Sequence, residues 1–138
     1  MSTVADSVEA LGFRFIDGFN SRDAEALIAL ADPAIEFHPT SLAGEDRIYH
    51  GHDGLRRWVR DLDVSAIKHQ VRVREVRVLD RARFLVLSEV LMGEDVLSPS
   101  AMLARLGDRG GILEARAYLT DEQMLERVGL MPERSPDG

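Results

Sequence analysis

Residues 19–62 read FNSRDAEALIALADPAIEFHPTSLAGEDRIYHGHDGLRRWVRDL, and this stretch decides the fold. Its period changes several times. Ser21, followed by Asp23 and Glu25, predicts a capped helix from Arg22 to Leu30 with acidic residues at the positive end of its dipole. Asp32-Pro33 stops that helix, because a residue before proline avoids helical angles. Ala34 to His38 alternates weakly and runs into Pro39, which predicts a short edge strand. Thr40 to Asp46 is polar and holds a glycine, as a loop does, and Ile48-Tyr49-His50 reads as a second brief strand. Leu55, Trp58, Val59 and Leu62 then fall at i, i+3, i+4 and i+7, predicting a helix over Asp53 to Leu62 with one apolar stripe. Its other face holds arginines, with Asp53–Arg57 and Arg57–Asp61 spaced as ion pairs.

Upstream, Val4, Val8, Leu11, Phe15 and Phe19 form one stripe and predict a helix over 3–19. Asn20 suits its exit, since asparagine tolerates the left-handed conformation. Downstream of Ala66 the period becomes two. Val71 and Val73 share a face, as do Val76 and Val78, but the pairs are out of phase. Keeping all four valines on one side requires a β-bulge near Arg74-Glu75, and a bulge bends a sheet. Arg83 to Met92 is apolar on both faces except at Ser88 and Glu89, so both faces need cover. Helices can cover one face and a partner subunit the other, which predicts a homodimer through the outer sheet face. Further strands are expected over Val96 to Leu106 and Ile112 to Leu119. Thr120 with Gln123 then predicts a capped final helix, closed by Gly129 with Leu130 folded back on Leu125.

The chain has 138 residues, enough for one domain with a real core; we place that domain at 1–132 and a polar tail at 133–138. A net charge of −7 argues against nucleic acid and anionic membranes as partners. No cysteine is present, so disulfides and thiolate metal sites are excluded. Neither a basic, apolar leader nor a spanning apolar run is visible, and the expected location is the cytoplasm. The arginines from Arg72 to Arg83 alternate with valines, as on a solvated or interface sheet face. Helices on one face of an antiparallel sheet give an α+β domain.

The segments FNSRD, DPAIEFHP, YHGHDGLRRW and LEARAYLTDEQMLERVGL resemble the nuclear transport factor 2-like superfamily, in its SnoaL-like and ketosteroid-isomerase-like branch. The resemblance covers nearly the whole chain. It implies a conical barrel: a strongly curved, mixed, mainly antiparallel sheet wrapped on a long N-terminal helix, the cystatin-like α+β roll, with a deep pocket and usually a dimer through the outer sheet face. Steroid isomerases of this fold carry a catalytic acid just before the proline that ends the first strand, and that position here is His38. Their two oxyanion donors match Phe15 and Met102, neither of which can donate a hydrogen bond. Steroid-type isomerisation therefore does not carry over. Pocket-lining positions match Phe19, Leu55 and Trp58.

His38 is the leading catalytic candidate, because an imidazole with an ordinary pKa of about 6.5 can take or give a proton at neutral pH. A plain structural histidine is the alternative. Tyr49 can offer a phenol to the pocket or simply pack, and Trp58 can be core and pocket wall at once. Glu89 is either a buried carboxyl with a raised pKa or the partner of an arginine on a neighbouring strand, such as Arg72, Arg74 or Arg105; the ion pair is favoured. His50, near the rim, and His52, capping the Trp58 helix, do not have metal-ligand spacing with His38, so no metal is expected, and no organic cofactor is implied. The chain then reads as a pocket for a small, largely apolar organic molecule. It is an isomerase, cyclase, dehydratase or hydrolase using His38, a non-catalytic binder, or a protein-interaction module on the same fold.

Overall fold

The computed structural model describes residues 4–39, 48–64 and 69–127. The loop expected over Thr40 to Asp46 and the closing turn at Gly129 and Leu130 lie outside these residues. Four helices and six strands are present among the described residues: α1 (Val4–Asn20), α2 (Ala24–Leu30), β1 (Ala31–His38), β2 (Tyr49–His50), α3 (Gly51–Val64), β3 (Gln70–Val78), β4 (Arg83–Met92), β5 (Asp95–Leu106), β6 (Ile112–Tyr118) and α4 (Glu122–Arg127). The α+β class stands, as does the mixed, mainly antiparallel sheet. Its order is β2-β1-β6-β5-β4-β3, with β1 and β6 parallel and every other pairing antiparallel. The sheet is open, with β2 and β3 at its edges, so the expected barrel does not close.

Four junctions show how the sequence builds this arrangement, and two of them correct the reading above. The exit of α1 uses Arg22, not Asn20, as its left-handed residue, at a φ of 54°. The amide of Asp23 donates to the Gly18 carbonyl at 3.0 Å and that of Arg22 to the Phe19 carbonyl at 3.0 Å. This is the double closure of a Schellman turn, in a position that favours glycine. Because α1 runs to Asn20, Ser21 belongs to its last turn and donates to the Asp17 carbonyl at 2.9 Å. The cap of α2 passes to Asp23, whose carboxylate accepts from the Ala26 amide at 3.1 Å.

Asn20 does something else: its side chain donates to the Val71 carbonyl and accepts from the Val71 amide, both at 2.8 Å. It thereby satisfies both backbone groups of a residue on edge strand β3, where open ladder groups would otherwise face outward.

β1 is not an edge strand but sits between β2 and β6. Pro33 is tolerated there because the β1–β6 register shifts between Ala31 and Glu36, so the proline falls where the ladder is interrupted. Gly111 permits the close approach at this point: a Cβ on it would lie 2.8 Å from the Asp32 backbone nitrogen. In β3 the register shifts between Val73 and Glu75, where the phase of the valines requires a bulge.

The core lies between the sheet and helices α1, α2 and α3. Gly12 lets α1 approach the sheet, since a Cβ there would meet both γ-carbons of Val76 at 3.0 Å. The other sheet face carries a smaller apolar cluster of Leu79, Leu85, Ala101 and Leu125. Arg77 ties α4 over it by pairing with Glu75 at 2.9 Å and with Glu122. The need to cover both faces of β4 is thus met in part by the chain's own last helix, while Leu87, Leu103 and Tyr118 remain half-buried. On the same face Glu89 pairs with Arg72 at 2.8 Å, one of the three arginines expected for it.

Candidate functional site

Side chains alternate across a sheet, so the ladder itself sorts residues by face. On the helix-bearing, inner face the rungs run in register: Val78, Phe84, Ala104 and Ala115; then Val76, Val86, Met102 and Ala117; then Val73, Ser88 and Ser100; then Val71, Val90 and Ser98. Phe84, Ala104, Ala115 and Val86 are completely buried under α1 and its neighbours. Towards the far end Ala117, Ser100, Val73, Ser98 and Val71 are only half-buried. The inner face therefore opens at the end where β3 and β5 begin. Three serines stand on these rungs: Ser88 and Ser100 are bonded to each other across the strands at 2.7 Å, and Ser98 donates to the Pro99 carbonyl at 2.8 Å.

An aromatic cluster closes the deep side. Trp58 stacks on Phe19 at 5.3 Å and on Phe15 at 6.4 Å, and meets Phe37 at a tilt of 60° with 4.2 Å between ring centres. Phe15 is 1% exposed and Trp58 6%. Leu55, Met102 and Tyr49 join the same core. The expected pocket residues are thus brought together, with Phe37 as a member the sequence reading passed over. Phe15 and Leu55 form its buried floor, and Met102 stands one rung below the Ser88–Ser100 pair. The Tyr49 phenol is engaged, donating to Asp61 at 2.7 Å.

His38 is not brought to this place. Ile35 and Phe37 are buried on the inner face, so Glu36 and His38 project from the other one. The His38 Nε2 lies 2.6 Å from Glu36 Oε1, with the imidazole side chain 21% exposed. The expectation that this imidazole looks into the interior is corrected by the strand's own alternation. His50, opposite Glu36 in the ladder, is exposed on the same outer side. His52 bonds the Ala31 carbonyl at 3.1 Å, tying α3 to the start of β1 instead of capping its own helix. Arg56, not Arg57, pairs with Asp53, at 2.8 Å. Among the described residues no group of three or more His, Asp or Glu side chains is placed to hold a metal ion.

The histidine that does lie on the inner side is His69, just ahead of β3. Its ring is tilted against Phe19 at 5.5 Å, and its backbone carbonyl accepts from the Arg22 guanidinium at 2.9 Å. That guanidinium also lies over the Phe19 ring at 4.5 Å and donates to the Phe19 carbonyl at 2.7 Å. Burial lowers the His69 pKa below the ordinary imidazole value, and the positive charge of Arg22 lowers it further. The signal was available in the sequence: His69 is in phase with the apolar stripe of Val71 and Val73.

A SnoaL-like domain matches residues 13–110, most of the chain. The chain belongs to the SnoaL-like family. Solved structures of this type agree in fold. An NTF2-like protein from Mesorhizobium loti superposes with a TM-score of 0.67 at 20% identity, covering 87% of this chain and 96% of that one. A candidate polyketide cyclase from Sinorhizobium meliloti gives 0.62 at 16% identity, covering 85% and 100%. A candidate isomerase of the SnoaL-like family from Agrobacterium tumefaciens gives 0.68 at 8% identity, covering 82% and 97%. At such identities the likeness establishes the fold alone. No curated protein matches the chain. Within this SnoaL-like domain the two positions likened to oxyanion donors are occupied by apolar, buried side chains, Phe15 and Met102. No helix among the described residues is long and apolar enough to cross a membrane.

Proposed function

We propose that this SnoaL-like domain binds a small, largely apolar organic molecule at the open end of its inner sheet face. The observation that carries this reading is the gradient along that face. It is fully buried at Phe84 and Ala104 but only half-buried at Val71, Val73, Ser100 and Ala117, with the Ser88–Ser100 hydroxyl pair set among apolar side chains. Small-molecule sites are lined mainly by apolar groups with a few convergent polar ones, and that is the composition of these rungs. Trp58, Phe19 and Met102 form the wall behind them, and the fully buried Phe15 and Leu55 hold that wall in place.

The test is to fill the open end. Ser100→Phe adds a ring where Ser100 is half-buried and its neighbours on the rung are Ser88 and Val73. Titration with β-naphthol, followed by its fluorescence, is expected to show saturable binding to the native chain and at least about a tenfold loss in the variant. Equal affinity in both proteins would remove the inner face as the binding site.

A further inference from the structure

Among the described residues the most unusual polar atom is the Nδ1 of His69. It is buried and, among the described residues, it has no hydrogen-bond partner. A buried polar atom without a partner costs free energy, and native structures keep such atoms rarely. The chain also accepts a second irregularity at the same spot. Arg22 occupies a left-handed turn position that favours glycine, and its guanidinium grips the carbonyls of Phe19 and His69. A non-glycine residue in that conformation is mildly strained. Glycine would relieve the backbone but would leave both carbonyls and the face of Phe19 without the guanidinium.

We infer that His69 is the residue through which the pocket recognises a hydroxyl group on its ligand, with Nδ1 accepting the hydrogen bond. The inference rests on the pocket reading above and gives that pocket its polar end. His69 lies in phase with Val71 and Val73, just ahead of β3, so its half-buried ring stands at the open end of the inner face and must turn to bring the enclosed Nδ1 to a ligand there. A neutral imidazole presents one N–H and one lone pair. The neighbouring Arg22 cation disfavours a second proton on the ring, so one ring nitrogen keeps its lone pair, and we assign that lone pair to Nδ1. The missing partner is therefore a donor, and an O–H on an otherwise apolar molecule supplies it. A phenol or enol is the best match, because its polarised O–H is a strong donor and the Arg22 charge favours its oxygen.

The test compares β-naphthol with its methyl ether, which keeps the rings and loses the donor. The native chain is expected to bind the naphthol about tenfold more tightly than the ether. His69→Leu should abolish that preference, bringing the two affinities to within about twofold of each other. His69→Asn, whose amide can stand where Nδ1 stands, should restore part of it. In the native protein the His69 imidazole nitrogen resonances should shift on addition of the naphthol and not of the ether; this holds even where a variant fails to fold. Equal binding of both probes by the native chain, or unmoved nitrogen resonances with the naphthol bound, overturns the role of His69 and leaves the pocket standing. Failure of both probes to bind overturns the pocket reading and this inference together.

Discussion

Two histidines on opposite faces of one sheet show what each face is for. His38 projects from the outer face beside a carboxylate with its side chain 21% exposed, and His69 lies on the inner face against Phe19 with a buried nitrogen unpartnered among the described residues. The outer face repeats the first pattern: Arg72–Glu89, Arg77–Glu75 and Arg116–Glu114 are all charge pairs between side chains with access to water. Such pairs contribute little, because solvent screens them and ordering long side chains opposes them. The inner face repeats the second, with rings and aliphatic groups that exclude water and a few polar atoms whose bonding therefore matters. A chemical group placed on the inner face is both energetically consequential and able to meet an apolar ligand.

If that contrast is right, substitutions should separate by face. The largest effect is expected for Trp58→Ala, which removes the ring touching Phe15, Phe19 and Phe37. Urea unfolding should show a loss of about 3–5 kcal/mol, and a loss below about 1 kcal/mol would mean the cluster is not a packing centre. Next comes Asn20→Ala. It leaves two backbone groups of Val71 without partners on the edge strand, and about 1–3 kcal/mol should be lost. Hydrogen exchange at the Val71 amide should accelerate with it; unchanged exchange would show that solvent replaces the clip at no cost.

A smaller effect is expected from acid. The folded-state pKa of His69 is depressed, by burial first and by the Arg22 charge second. Unfolded chains then bind a proton on this residue that the folded chain refuses. Its contribution is complete above the unfolded value of about 6.5 and is lost as pH falls through the folded value. The urea midpoint should therefore drop as the pH falls below about 6.5, and His69→Leu should flatten part of that drop. Among the described residues Arg22 is the charged group that acts on this imidazole; a slope unaltered by His69→Leu would show the ring to be solvated. Smallest of all is His38→Ala. It should change stability by about 0.5 kcal/mol or less and leave naphthol affinity untouched. A marked loss of binding in that variant would return His38 to the site and erase the contrast between the faces.

Much of this was legible in the chain. The phase slip between Val73 and Val76 announced the bulge in β3, and the isolated Glu89 announced its arginine partner. The case of His38 is more instructive. Likeness to steroid isomerases placed it inward, while the alternation of Ile35, Glu36, Phe37 and His38 placed it outward, and the alternation prevailed. A strand's period is imposed by backbone geometry, whereas a matched position carries no such constraint. His69 was overlooked for a related reason. The stripe it belongs to was read from its valines, and a polar residue at the head of an apolar stripe looks like a loop until its burial is known.

Other features had no local signal. Pro33 reads as an edge-strand residue, and only the interrupted register with β6 shows how an interior strand accommodates it. Asn20 reads as a helix exit, yet it acts on Val71, a partner 51 positions away. What the sequence determined by itself is period: which segments are helical, which are extended, where phase slips, and so which residues share a face, because those follow from geometry within a few residues of chain. Tertiary structure alone decided adjacency. It set β1 between β2 and β6, Asn20 against an edge strand, and the Arg22 guanidinium beside the His69 ring. Those choices are settled by which distant surfaces bury each other best.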